Sequence, residues 1–395
     1  MPSIVFYFKV HQPERLKHYT VFEIGEDHNY FDNELNKFYL DRIVNKCYLP
    51  TLNLIYDLIQ KTQGKFKVSF GITGILFDQL KKWHPEIIEL FQKLNKTNCI
   101  EFIGETYYHS LSSLYSINEF KKQVILHKKL IKKLFKKEPK VFANTELIYF
   151  DDLTFTIKNL GFKAILTEGV SWILGWQSPN FIYEDPNKNL KILLRNYQLS
   201  DDISFRFSAR WWNEWPLTAE KFANWLENYN GNSEVINLFM DFETFGEHQW
   251  PETGIFEFLK ALPFEIFKRK DLEFALPSEV IEKYPIRGIF SSKKPITWAD
   301  TERDLSAWLE NEMQKESVEM LYSLEKKIPR SLKETWRKLQ TADHFYYMCT
   351  KWFADGDVHK YFNPYETPYD AYLNFRNVLE DFKLIINDKI KSKKQ

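Results

Sequence analysis

Residues 235–248 read VINLFMDFETFGEH, an apolar run that changes abruptly into an acidic segment. Val235–Met240 has almost no polar residue, which is typical of a parallel strand covered on both faces. Asp241 and Glu243 follow directly, at the point where such a strand would end. The stretch therefore predicts a buried parallel strand that delivers carboxylates to one edge of a sheet.

Six more runs of this kind precede helical patterns along the chain, namely Ile4–Phe8, Phe66–Phe70, Cys99–Ile103, Lys140–Asn144, Lys163–Thr167 and Lys191–Leu194. Alternating strands and helices favour an α/β fold with a parallel sheet. Seven strand–helix units are one short of a complete ring, so the pattern predicts an incomplete (β/α)7 barrel. Leu272–Ala275 is a candidate for an extra strand.

The pattern changes near Thr297, where strands stop and long helical patterns follow over Asp304–Leu324, Ser331–Trp352 and Pro368–Ile386. The break falls at Ile286–Pro295, a segment that contains Gly288 and Pro295. We therefore predict a barrel over residues 1–290 and a C-terminal α-helical region over residues 291–395 that packs on it.

The bulk composition argues against several classes of protein. The 54 basic residues balance the 54 acidic ones, so no global positive field favours nucleic acid or a membrane surface. Cys47, Cys99 and Cys349 are isolated, which predicts buried thiols in a reducing compartment rather than a disulfide framework. The N-terminus resembles a core strand rather than a signal peptide, so we expect a cytoplasmic protein. Nothing in the pattern fixes an oligomeric state.

Polar residues cluster where the predicted strands end, which is where parallel barrels hold their active sites. They are His11, Glu105, His109, Glu146, Glu168, Asp201, Asp202, Asp241 and Glu243. The set is acidic, and it comes with no Gly-rich phosphate loop, nucleophile elbow or zinc-binding helix motif. Cleavage of a glycosidic bond requires two carboxyl groups from different strands, with environments that hold their pKa values apart.

Most of these residues also have a structural interpretation. Glu105 and Glu168 fit helix caps or supporting positions, and Asp201 and Asp202 fit a turn or helix start. His11 fits a sugar ligand and a buried hydrogen-bonding histidine equally well.

The positions of Glu146 and Asp241 favour a functional role. Each follows an apolar strand, where burying a carboxylate that has no partner costs free energy. Asp241 and Glu243 share a face in extended chain, so their spacing does not choose between them.

Tryptophan is abundant, with 12 residues in the chain. An indole face matches the apolar face of a pyranose ring, so tryptophans near the acidic segments suggest sugar binding. Trp211, Trp212 and Trp215 cluster in sequence, and Trp250 closes the acidic segment. We expect at least two of the four to line a cleft.

Five segments, in order, resemble the motifs of glycoside hydrolase family 57 and of its α-amylase-like members in particular. They are His11–Pro13, Gly71–Leu76, Asn144–Tyr149, Met240–His248 and Leu339–His344. The resemblance implies a retaining mechanism on α-1,4-glucans or maltooligosaccharides, without a metal or other cofactor. It implies Glu146 as nucleophile and favours Asp241 over Glu243 as general acid/base. We expect the substrate to contact His11, Glu243, Trp211, Trp212, Trp250 and Asp343.

Three other functions fit parts of the pattern. A 4-α-glucanotransferase would use the same chemistry with a sugar as acceptor. A metal-dependent hydrolase, such as a carbohydrate deacetylase, would use His11, His109, Asp241 and His248 as ligands, which must converge on one ion. A non-catalytic glycan-binding protein would need no converging carboxylates.

Overall fold

The computed structural model describes residues 2–269, 271–351 and 362–391. Strands and helices alternate over most of the chain. The strands are β1 (Ser3–Val10), β2 (Val68–Ile72), β3 (Ile100–Phe102), β4 (Val141–Ala143), β5 (Ala164–Glu168), β6 (Ile182–Glu184), β7 (Lys191–Arg195), β8 (Val235–Asp241), β9 (Glu273–Phe274) and β10 (Ile286–Ile289).

The first part of the chain holds twelve of the described α-helices. They are α1 (Asn33–Ile43), α2 (Leu49–Lys61), α3 (Gly74–Trp83), α4 (Pro85–Asn95), α5 (Ser112–Tyr115), α6 (Ile117–Phe135), α7 (Asp151–Asn159), α8 (Ser171–Leu174), α9 (Tyr197–Ser204), α10 (Ala219–Glu227), α11 (Ile255–Phe267) and α12 (Pro277–Lys283). A π-helical turn, Val44–Tyr48, joins α1 to α2.

The strands form two five-stranded sheets. One has the order β3-β2-β1-β8, with β9 pairing with the start of β1, and all of these pairs are parallel. The other has the order β10-β6-β7-β5-β4, in which only the β6–β7 pair is antiparallel. Each of the seven predicted strands is present within two residues of its predicted start, and the candidate at Leu272–Ala275 contains β9.

Two strands were missed. β6 is short and lies between Pro179 and Pro186, in a segment whose composition favours turns. β10 lies inside the segment predicted as a break between regions, and it pairs with β6. Its residues are mostly exposed, so it lacks the apolar pattern of a buried strand.

Alternate residues of both sheets meet in one apolar cluster. Val5 and Tyr7 of β1 share it with Val141 of β4, Leu166 of β5 and Phe239 of β8. The period of two in these contacts follows from the alternation of side chains along a strand. The carboxyl ends of the strands lie at one end of this shared core, which positions the polar residues that follow them.

The C-terminal helices pack around Trp336 in a second core, which also includes Leu16, Tyr19, Tyr30, Leu111 and Ile148 from the first part of the chain. These helices are α13 (Ser306–Leu309), α14 (Glu312–Ser323), α15 (Lys333–Lys338), α16 (Ala342–Tyr346) and α17 (Pro368–Lys391). The predicted helix Asp304–Leu324 is two helices, because the side chain of Asn311 caps α14 and starts a new helix there. The predicted helix over 331–352 is also interrupted, and its last residue lies outside the described residues.

The three cysteines are buried and free, as their spacing predicted. Within the part of the chain that the structure describes, no helix is both long enough and apolar enough to cross a membrane.

Candidate active site

The ends of four strands and one C-terminal helix surround a single cavity. Polar side chains from the strand ends line most of it, and aromatic residues of the helical region complete the wall. The lining residues are Lys9, His11, Gln12, Pro13, His109, Glu146, Asp241, Glu243, His248, Asp343, Tyr346, Tyr347 and Phe362. The structure therefore brings Glu146 and Asp241 together with His11, Glu243 and Asp343.

Glu146 is held by hydrogen bonds to both of its carboxylate oxygens. Oε1 lies 2.6 Å from Nε2 of His109. Oε2 accepts a 2.7 Å hydrogen bond from the indole Nε1 of Trp298. Burial raises the pKa of Glu146, while the Trp298 hydrogen bond and the charge of Lys9 act in the opposite direction. The two contacts fix the carboxylate plane and stabilise its ionised form.

His109 presents a defined face to that carboxylate. Burial and the neighbouring His11 lower its pKa well below the usual value, so the imidazole is neutral near pH 7. A neutral imidazole has one N–H, and an ionised Glu146 requires it on Nε2. Glu146 and His109 have positive φ angles of 52° and 50°, a rare conformation for side-chain-bearing residues that is found disproportionately at functional sites.

Trp298 contacts Glu146 twice, because its backbone N–H also donates to the Glu146 carbonyl over 3.3 Å. The residue lies between the last strand and the first C-terminal helix, in a segment without a predicted element. Sequence reasoning missed it, since no spacing or periodicity links residue 298 to residue 146. Its own carbonyl accepts from the guanidinium of Arg303.

Asp241 ends β8 and faces the same cavity. Burial raises its pKa to about 7, and the charge of Glu146 adds to the shift. Glu243, two residues on, is buried and accepts a 2.5 Å hydrogen bond from the hydroxyl of Tyr48. Burial and the charge of Asp241 raise the pKa of Glu243 to about 8. Near neutral pH Asp241 is therefore about half protonated, while Glu243 is mostly protonated.

His11 links the first strand to the helical region. Its Nε2 lies 3.0 Å from Oδ2 of Asp343, and its Nδ1 lies 2.9 Å from the hydroxyl of Thr73. The rings of His11 and His109 are 4.0 Å apart between centroids. Burial would raise the pKa of Asp343, but the charge and hydrogen bond of His11 outweigh it and lower that pKa. His11 is thus hydrogen-bonded and also accessible from the cavity.

Glu105 takes a supporting position, as the sequence suggested. It is buried and accepts hydrogen bonds from Nζ of Lys9 at 2.7 Å and from the hydroxyl of Tyr7 at 2.9 Å. A buried carboxylate is stable only when it is paired in this way. This ion pair holds the Lys9 ammonium in the cavity wall. There its positive charge partly offsets the rise that burial causes in the pKa values of Glu146 and Asp241.

A second cavity continues from the first past Glu146, Asp241 and His248. Its other lining residues are Arg195, Tyr197, Asp201, Ser204, Phe205, Arg206, Trp211, Met240, Thr244, Trp298, Ala299, Asp300, Thr301 and Arg303. The two cavities form one cleft, which runs from the strand ends to the segment between residues 298 and 303.

A cluster of four charges supports this second part of the cleft. Glu168 pairs with Arg195 at 3.0 Å and with Arg303 at 3.7 Å, and both arginines also contact Asp201. The guanidinium of Arg195 lies 5.7 Å from the ring centre of Trp298. Glu168 is completely buried and serves the supporting role that the sequence suggested. Asp201 lies within α9 rather than at a helix start, and it also lines the cleft.

The predicted tryptophans separate in the structure. Trp211 lines the second cavity and is 79% exposed. Trp212 is partly buried against the core, with its ring 6.0 Å from that of Trp225. Trp250 lies under the ammonium of Lys46 and is not among the residues that line either part of the cleft. Trp298, which was not predicted, lines the second cavity and donates its indole N–H to Glu146.

Ligand atoms of His11, His109 and Asp343 lie within 4.8 Å of one another, which is close enough for a shared metal ion. Two of these three residues belong to the metal-ligand set considered from the sequence. However, His109 Nε2 faces Glu146, while both nitrogens of His11 face hydrogen-bond partners.

A sequence model of glycosyl hydrolase family 57 matches residues 5–295, which include every strand end described above. The chain belongs to glycosyl hydrolase family 57. A protein of Methanocaldococcus jannaschii named "Putative alpha-amylase" is 46% identical over 405 residues, covering 98% of this chain and 85% of that protein. The resemblance seen in the motifs is therefore confirmed, and this family 57 member is a glycoside hydrolase.

Solved structures of low identity share the fold. A branching enzyme of Pyrococcus horikoshii aligns with a TM-score of 0.69 at 14% identity, over 91% of this chain and 87% of the other. A 4-alpha-glucanotransferase of Thermococcus litoralis aligns with a TM-score of 0.60 at 17% identity, over 88% of this family 57 chain. This chain spans only 50% of that glucanotransferase.

Proposed function

We propose that this family 57 enzyme is a retaining hydrolase of α-1,4-glucosidic bonds in starch- or glycogen-type glucans. Glu146 is the nucleophile and Asp241 is the general acid/base. One observation carries the proposal: two buried carboxyl groups from different strand ends share a cavity but differ in the hydrogen bonds that they receive. Glu146 receives two hydrogen bonds to its oxygens, whereas the pKa of Asp241 is raised to about 7. That contrast suits one ionised and one protonated group.

The first half of the reaction breaks the glycosidic bond. A Glu146 carboxylate oxygen attacks the anomeric carbon, and the bond to the leaving oxygen breaks as Asp241 transfers its proton to that oxygen. The product is a glycosyl ester on Glu146. Trp298 and His109 would hold the attacking carboxylate in place, since both contact it directly.

The second half regenerates the enzyme. The ionised Asp241 removes a proton from water, whose oxygen attacks the anomeric carbon while the ester bond to Glu146 breaks. Two inversions leave the sugar with its original configuration. His11, Glu243 and Asp343 line the cavity beside these groups and would bind sugar hydroxyls, while Trp211 would offer a stacking surface in the second part of the cleft.

We further propose that the seven parallel strands form one incomplete barrel. Gly104 and Phe142 form a parallel bridge between the ends of β3 and β4. On the other side, the backbone N–H of Asn196 donates to the carbonyl of Asn237 at 2.9 Å, between β7 and β8. These contacts join the two sheets on both sides of the shared core, which supports an incomplete (β/α)7 arrangement.

A 4-α-glucanotransferase is the second candidate, because a sugar hydroxyl can replace water in the second half-reaction. The fold supports it as well, since solved transferases share the architecture. Chromatography of the products from maltoheptaose separates the two. Hydrolysis gives only shorter chains, whereas transfer also gives longer ones.

The roles are tested with two isosteric variants. Glu146→Gln should lose activity on every substrate, because no glycosyl ester can form. Asp241→Asn should lose starch cleavage by about 10²–10⁴-fold, yet keep much of its glycosylation rate on an activated aryl maltoside, whose phenolate leaves unaided.

Added azide needs no general base, so it should restore turnover of Asp241→Asn and give a glycosyl azide of retained configuration. Rescue in Glu243→Gln instead would reassign the acid/base to Glu243. If activity is lost on treatment with a chelator and restored by a divalent ion, the metal-dependent hydrolase replaces the proposal.

A further inference from the structure

Two tryptophans that line no part of the active-site cleft are exposed on one short surface segment. Helix α8 and the turn after it follow β5, whose last residue is Glu168. Trp172 on this helix is 61% exposed and Trp176 just beyond it is 93% exposed. Large aromatic side chains left in water favour a ligand or partner that would cover them.

Trp172 lies in a surface groove of mixed composition. The opposite wall consists of residues 291–296 and 302–304. Lys293, Lys294 and Arg303 contribute positive charges, while Glu302 and Asp304 contribute negative ones. Charges of both signs beside an indole face suit a neutral ligand rich in hydroxyl groups. They suit a polyanion such as nucleic acid much less well.

The groove adjoins the active-site cleft at Arg303. Arg303 lines both the groove and the second part of the cleft, and the neighbouring Glu302 and Thr301 lie one on each side. The side chain of Arg303 also contacts Glu168 and Asp201 of the four-charge cluster. A glucan chain long enough to extend past Arg303 would therefore reach the groove in which Trp172 is exposed.

We propose that Trp172 forms a second α-glucan-binding site outside the active site. It would hold the part of a long glucan chain that extends past Arg303, with a pyranose ring stacked on the indole and hydroxyls bonded to the charged rim. The proposal rests on the glucan substrate proposed above. It predicts that the enzyme prefers long chains because of contacts remote from the scissile bond, while short oligosaccharides do not reach the site.

Affinity gel electrophoresis in soluble starch tests this without catalysis. The measurement uses Glu146→Gln as the parent, so that the starch in the gel stays intact. Adding Trp172→Ala should raise the dissociation constant for starch by at least five-fold. It should leave the affinity for maltotriose, measured by calorimetry on the same proteins, within two-fold. Phe155→Ala, which removes another exposed aromatic side chain from a surface helix, is the matched control and should change neither.

Equal starch affinity in the parent and the Trp172 variant would overturn the proposal, as would starch binding by neither protein. Sedimentation of the wild-type enzyme adds an independent outcome. If it forms a dimer that Trp172→Ala dissociates, the groove at Trp172 binds a second copy of the chain and the proposal is wrong. Formation of only shorter chains from maltoheptaose by the wild-type enzyme would still uphold the proposed function in all these cases, so the two failures are distinguishable.

Discussion

At the scale of single residues, Glu146 shows how the site is held in place. Its backbone adopts a left-handed conformation that costs a residue with a side chain about 1–2 kcal/mol. Trp298 donates hydrogen bonds to both the backbone carbonyl and the carboxylate of Glu146, and His109 contacts the other carboxylate oxygen. The cost is therefore offset by contacts that aim the carboxylate into the cavity, as expected of a positioned nucleophile.

Trp298→Phe tests this positioning role. The change keeps an aromatic ring and removes the donor that lowers the pKa of Glu146. A hydrogen bond to a charged group is worth about 1.5–3 kcal/mol, so kcat/KM on maltoheptaose should fall by about 10–100-fold. The acidic limb of the pH profile should also move to higher pH. Trp225→Phe, in a core position away from the cleft, is the control. An unshifted acidic limb would show that Trp298 only fills space.

The pH dependence of the wild-type enzyme follows from the same pair. Asp241 must be protonated to act as an acid, so kcat/KM should fall as the pH rises through about 7. Glu146 must be ionised, so activity should also fall at low pH, with a midpoint above the usual value for a glutamate. The two midpoints belong to the coupled pair. In Asp241→Asn acting on an activated aryl maltoside, the basic limb of glycosylation should disappear; its persistence would assign that limb to another group.

At the scale of elements, a close backbone contact at Gly246 sets the course of the loop after β8, which follows Asp241 and Glu243. Gly246 has a φ of 102°, and a Cβ there would lie 2.0 Å from the backbone carbonyl oxygen of Lys46 in the π-helical turn. Only glycine permits this approach. The close contact joins the segment that carries Asp241 and Glu243 to the turn that carries Tyr48, whose hydroxyl binds Glu243.

Gly246→Ala should destabilise the enzyme more than an ordinary glycine substitution does. It combines the backbone cost of about 1–2 kcal/mol with overpacking of about 1–3 kcal/mol. Gly231→Ala is the matched control, since Gly231 has a φ of 86° and open space around its Cβ position. Thermal unfolding should show a clearly larger decrease in midpoint for Gly246→Ala. Equal decreases would mean that the π-helical turn moves aside freely.

At the scale of the whole molecule, the C-terminal region contributes directly to the cleft. Asp343 of α16 pairs with His11 after β1, and Tyr346 and Tyr347 line the first cavity. Trp298, just before the helices, binds Glu146. The region therefore completes the site, although the boundary at residues 290 and 291 remains a prediction.

A chain ending at Ile296 should lose activity even if its strands still fold, because it lacks Trp298 and Asp343. Asp343→Asn in the intact chain isolates the second contact. It weakens a charged hydrogen bond to His11, so kcat/KM should fall by about 10–100-fold while the unfolding midpoint changes little. Circular dichroism monitors folding in both cases. Full activity of a folded truncated chain would make the helical region an accessory.

The seven parallel strands and the residues at their ends could be predicted from local patterns of residue types. Buried parallel strands need unbroken apolar runs, and a carboxylate directly after such a run stands out against them. Glu146, Asp241 and His11 could be named in this way, and the family followed from short segments in order. Those signals are local, so they are visible without the fold.

The partners that surround these residues became visible only in the folded chain. Trp298 lies 152 positions from Glu146 along the chain, and no periodicity connects the two. Neighbours in sequence can also separate: Trp212 packs against the core, while the adjacent Trp211 faces the cleft. The position of the exposed Trp172 in the same groove as Arg303 likewise depends on how distant segments pack. Contacts between distant segments depend on how the elements pack together, and a linear pattern of residue types does not contain that information.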